Sequence, residues 1–65
     1  MMIKVYSKNG KFLGKVRRPG GTPELSVAES VMHTLRMNDF TEVEYKNERE
    51  FIRSSEIVRF KICEQ

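Results

Sequence analysis

The sequence predicts an α+β domain in which one helix packs on an antiparallel sheet, with elements in the order ββαββ(β). Three observations predict it. The stretch 22–38, TPELSVAESVMHTLRMN, alone carries apolar residues at helical spacing. Before it, two segments of alternating apolar and polar residues flank Asn9-Gly10, the strongest two-residue hairpin signal. After it, the chain returns to a period of two. Its 65 residues then make a single domain, 1–65, with a hairpin in 1–18, a helix in 22–38 and strands in 40–63. A domain this short buries only about 60% of the surface its unfolded chain exposes. Self-association is therefore an expected supplement to its stability.

In the hairpin, a turn at Asn9-Gly10 sets Ile3 against Val16, Lys4 against Lys15, Val5 against Gly14 and Tyr6 against Leu13. That register sorts Ile3, Val5, Phe12 and Val16 onto one face. Lys4, Tyr6, Lys8, Lys11, Leu13, Lys15 and Arg17 fall on the other. A bulged three-residue turn would slip the pairing by one and mix the faces, so the two-residue turn or its four-residue equivalent is expected. Pro19-Gly20-Gly21 ends the strand and frees the chain to change direction. In the helix, Thr22 is the expected cap, Pro23 suits the first turn and Glu24 complements the positive dipole end. A second start lies at Ser26, with Glu29 completing a capping box. Leu25, Ala28, Val31, Met32 and Leu35 form the apolar stripe, and Asn38 is placed to close the helix in the left-handed conformation.

Beyond the helix, Thr41, Val43 and Tyr45 alternate with Glu42 and Glu44, a half-buried strand with an acidic outer side. Residues 47–49 read as a turn, 50–53 as a short strand and Ser54-Ser55-Glu56 as a polar kink or single helical turn. In 58–63, Val58, Phe60 and Ile62 point inward against Arg59 and Lys61. The expected core is Ile3, Val5, Phe12, Val16, Leu25, Ala28, Val31, Met32, Leu35, Val43, Tyr45, Phe51, Phe60 and Ile62. The sheet face away from the helix is left open to solvent or to a partner.

The net charge of +3 conceals an asymmetry. Residues 1–21 carry six bases and no acid, +6, whereas residues 22–65 carry six bases and nine acids, −3. A basic hairpin thus sits on a mildly acidic body. The lone Cys63 excludes an internal disulfide and suits a reducing compartment. With no apolar run long enough to span a bilayer and no secretion pattern at the N-terminus, a soluble, cytoplasmic protein without membrane partners is expected.

Chemistry is sparse. His33, the only histidine, stands one helical turn after Glu29, but no nucleophile or second base accompanies the pair, which reads as an exposed ion pair. One histidine and one cysteine leave only carboxylates to ligate a metal. The glycines form no phosphate loop and the serines no nucleophile elbow. No enzyme, cofactor, metal or small-molecule substrate is expected. The candidate binding surface is the outer hairpin face, Lys4, Tyr6, Lys8, Lys11, Leu13, Lys15 and Arg17, with Arg18 following it. These residues suit a non-enzymatic module that meets a polyanion. With a single aromatic ring among the cations, an acidic protein surface or a second copy of the chain is the expected partner. Nucleic acid is the alternative.

Overall fold

The computed structural model describes residues 1–18 and 23–63. Five strands, β1 (Met2–Tyr6), β2 (Phe12–Arg17), β3 (Phe40–Tyr45), β4 (Glu48–Arg53) and β5 (Arg59–Cys63), form one antiparallel sheet ordered β4-β3-β2-β1-β5. The single helix α1 (Glu24–Met37) connects β2 to β3 and lies on one side of this sheet. The α+β class and element order expected from the sequence are therefore observed.

The hairpin resolves its register in an unforeseen way. Gly10 N donates to Ser7 O at 2.9 Å and Ser7 N to Lys11 O at 2.9 Å, which makes the turn a three-residue loop, Lys8-Asn9-Gly10. Gly10 takes the left-handed conformation this loop requires, φ +83. The resulting slip pairs Tyr6 with Phe12 in place of Leu13. A bulge between Val5 and Tyr6 then restores the expected pairs Val5↔Gly14, Lys4↔Lys15 and Ile3↔Val16. Two irregularities cancel, and the difference is confined to the loop end, where Ser7 closes the turn on Lys11 and Phe12 and Leu13 exchange faces. Phe12 leaves the expected core for the open face, and Leu13 packs against the core.

Gly14 sits beside that bulge, where β2 comes close to β3. A Cβ on it would lie 2.8 Å from Val43 Cγ2 and 2.9 Å from Glu44 O, and its φ of +145 is one that side chains rarely adopt. Only glycine fits.

The helix presents Val27 and Val31 to the sheet, with Ala28, Thr34 and Leu35 half-buried. This corrects the expected stripe, because Leu25 is 72% exposed and Met32 also faces solvent. The rotation brings the β-branched Val27 onto Ile3, Val5 and Val43 in place of the longer Leu25. The helix starts at Glu24, with Pro23 in the cap position and Val27 N bonded to Pro23 O at 3.1 Å, and the Ser26 start is not used. Asn38 is extended, φ −113, and its N–H bonds Thr34 O at 3.0 Å, so the left-handed closure does not form. The expected Pro19-Gly20-Gly21 break and Thr22 cap lie outside the described residues.

At the far edge, β3 and β4 join through Lys46-Asn47, both at positive φ, a two-residue turn earlier than expected. Ile52 then faces Thr41 on the helix side, and Phe51, assigned to the core from sequence, is 69% exposed. The single turn Ser54–Glu56 follows, and its Ser54 hydroxyl meets Thr41 Oγ1 at 2.6 Å in a buried site. From there the chain reaches the opposite edge. Ile57 enters the core in place of Val58, which is expected to point inward but is exposed before β5 begins, with Val58 N donating to Tyr6 O at 3.1 Å. β5 then pairs along all of β1.

Candidate functional site

The open face follows from alternation and register together. Ile3, Val5 and Val43 are almost fully buried under the helix, so their neighbours along each strand project to the other side. Three rows cross β2, β1 and β5 there: Arg17–Met2–Cys63, Lys15–Lys4–Lys61 and Phe12–Tyr6–Arg59. On β3 and β4 the same side carries Phe40, Glu42 and Glu44 opposite Arg53, Phe51 and Arg49. Among the described residues these strands thus place seven cations on the face, Lys4, Lys15, Arg17, Arg49, Arg53, Arg59 and Lys61, against the two carboxylates Glu42 and Glu44.

Both carboxylates are engaged. Arg49 Nη1 donates to Glu42 Oε2 at 2.9 Å and Arg17 Nε to Glu44 Oε1 at 3.4 Å. The lysine row meets these pairs at one end, where Lys15 stands opposite Glu44 on β3. Lys4 opposes Lys15 on one side and Lys61 on the other, and like charges directly opposite on adjacent strands destabilise a sheet.

The rings lie next to the lysines. Tyr6 and Phe12 have centroids 5.7 Å apart at 58°, and Phe12 lies 6.0 Å from Tyr45 at 48°. Tyr45, expected in the core, ends β3 half-buried and extends this run of rings across three strands. Lys61 Nζ stands 5.4 Å above the Tyr6 ring and Lys46 Nζ 5.3 Å above that of Tyr45. At an exposed site such a contact contributes about 0.5–1 kcal/mol. A shallow groove of about 660 Å³ lies between Lys4 and Lys15 and the rings of Phe12 and Tyr45, with Arg17, Glu44, Lys46 and the buried Met2 also in its walls.

Of the residues singled out from sequence, Lys4, Tyr6, Lys15 and Arg17 share this face. Lys8 and Lys11 are exposed at the hairpin tip. Leu13 packs against the core, and Arg18 lines a small cavity with Ile3, Val31 and Leu35 on the helix side. Sequence reasoning missed Phe12, Tyr45, Arg49, Arg53, Arg59 and Lys61 as parts of one surface. The outward alternation of Arg59 and Lys61 was visible, but their place beside Lys4 depends on a long-range pairing. His33 is exposed on the helix, and Cys63 is half-buried opposite Met2. No group of three or more potential metal ligands occurs among the described residues. No helix of the described residues is long and apolar enough to cross a membrane. In comparisons with known proteins, no family model, curated protein or solved structure matches the chain.

Proposed function

We propose that this protein is a non-enzymatic binding module whose open sheet face holds a polyanion. The observation that carries the reading is the row Lys15–Lys4–Lys61, three lysines side by side on adjacent strands. In isolation that arrangement costs stability. A string of anionic groups laid across the strands turns the repulsion into attraction, and each neutralised phosphate also releases a counterion. Glu44 stands opposite Lys15 and offsets that end of the row while also pairing with Arg17, and Glu42 is held by Arg49, so Lys4, with a lysine on each side, has no acid opposite it.

Charge reversal tests it. With long-chain inorganic polyphosphate as the probe, the combined variant Lys4→Glu, Lys15→Glu, Lys61→Glu should bind roughly a hundredfold more weakly than the parent. Lys8→Glu with Lys11→Glu at the hairpin tip should matter much less, and circular dichroism should report the same fold for both. Equal affinity of the parent and the reversed face would refute the reading.

A second reading has its own support at the β3–β4 edge. Arg53 stacks 4.9 Å over the half-exposed Phe40, and Phe51 is exposed beside them. Exposed aromatic rings with arginine are the composition of a protein interface. An acidic protein surface or a second copy of the chain would engage that edge first, and Phe51→Ser would release it without changing polyphosphate binding.

A further inference from the structure

Resting on the polyanion reading, we infer that the ligand of the open face is single-stranded nucleic acid, laid across the strands with phosphates on Lys15–Lys4–Lys61 and unpaired bases on Tyr45, Phe12 and Tyr6. The two rows run side by side across β2 and β1, where Lys4 and Tyr6 are two residues apart, and each continues one strand further, the lysines to Lys61 on β5 and the rings to Tyr45 on β3. Two residues along a strand separate them by about 7 Å. That offset suits a nucleotide, whose phosphate and base lie on opposite sides of one sugar. A simple polyanion needs the lysines and has no use for the rings. An acidic peptide offers carboxylates but no flat π-face to lie on a ring. A duplex keeps its bases stacked on each other and presents only phosphates to a sheet of this shape.

The rings are placed where they have no structural duty that apolar residues could not perform. Phe12 is brought to the face only by the paired irregularities of the hairpin, the three-residue turn and the bulge, and it remains 36% exposed. Its neighbours Tyr6 and Tyr45 are 5.7 and 6.0 Å away, so the run offers successive stacking positions across three strands. The ammonium groups of Lys61 and Lys46 now above the outer rings are on flexible stems and can move to phosphates when a base arrives. Stacking on rings tolerates any base, so little sequence preference is expected.

Because the chain has no tryptophan, the emission of Tyr6 and Tyr45 reports stacking directly. The experiment titrates the parent and Phe12→Leu with oligo-dT, oligo-rU, a mixed duplex, poly-glutamate and inorganic polyphosphate of matched charge, near physiological salt. Expected are tighter binding of the single strands than of duplex, poly-glutamate or polyphosphate, and tyrosine quenching by the single strands alone. Phe12→Leu should weaken single-strand binding roughly fivefold to a hundredfold while leaving polyphosphate affinity unchanged. The oligo-dT and oligo-rU arms report whether deoxyribose or ribose strands bind more tightly. Tyr6→Leu, which keeps an apolar side chain at the site, repeats the test should Phe12→Leu fail to fold. Equal affinity for single strands and polyphosphate, with no quenching, overturns the inference and leaves the polyanion reading standing. Failure of the parent to bind polyphosphate or any oligonucleotide removes both. Preferential binding of poly-glutamate identifies an acidic protein as the partner and overturns the inference.

Discussion

Two neighbouring rows of the same three strands have opposite fates. Val16, Ile3 and Ile62 lie side by side under the helix, whereas one residue further along, Lys15, Lys4 and Lys61 lie side by side on the open face. The inner row is stabilised by removing apolar surface from water, and its three side chains are all β-branched, which suits a pleated, buried surface. The outer row is only half-buried at Lys4 and Lys15, exposed at Lys61, and opposes like charges. A chain with so small a core has reason to avoid that arrangement, so its presence points to use of the surface.

The largest effect should come from the inner row. Ile3 is fully buried, and Ile3→Ala should cost about 2–5 kcal/mol, enough to unfold a domain of this size at 37 °C. Lys4→Thr, on the adjacent residue, should stabilise the sheet by about 0.2–1 kcal/mol while weakening polyanion binding. Urea denaturation measures both, and equal losses in the two variants would mean that the faces are not distinct.

Gly14→Ala attacks the junction between the faces. The added methyl group would press on Val43 and the Glu44 carbonyl, and overpacking of this kind costs about 1–3 kcal/mol. A melting curve identical to the parent's would show that β2 and β3 are not so close. The inner face also contains one polar pair. Thr41→Val leaves the buried Ser54 hydroxyl without its partner and should cost about 1–3 kcal/mol, and adding Ser54→Ala should recover most of the loss. If the double variant is the sum of the singles, the two hydroxyls are not coupled. The smallest effect belongs to the rim. Glu42→Gln removes an exposed ion pair, so stability should change by less than about 0.5 kcal/mol while affinity for polyphosphate rises.

The sequence reveals the inner face better than the outer one because burial imposes a pattern and exposure does not. Ile3, Val5, Val31 and Val43 were legible from periodicity, as were the element order and the pairs of Lys4 with Lys15 and Ile3 with Val16. Leu25, Met32 and Phe51 were misplaced because hydrophobicity alone does not decide which of two adjacent apolar residues turns inward. Val27 and Ile52 take the core positions instead. Phe12 was misassigned because a turn and a bulge each shift the register by one residue, and their cancellation is a property of the folded hairpin. Half of the candidate surface was out of reach for a different reason. Lys61 joins Lys4 only when β5 pairs with β1, and Tyr45 reaches Phe12 only because β3 lies beside β2.

The most direct test of the central claim is the salt dependence of binding to a single-stranded oligonucleotide, compared between the parent and the combined variant Lys4→Ala, Lys15→Ala, Lys61→Ala. Three phosphate contacts at about 0.7 each predict that log affinity falls with log salt about two units less steeply in the variant than in the parent. Parallel lines for the two proteins, or a parent whose affinity ignores salt, would contradict the assignment of the lysine row as a phosphate track.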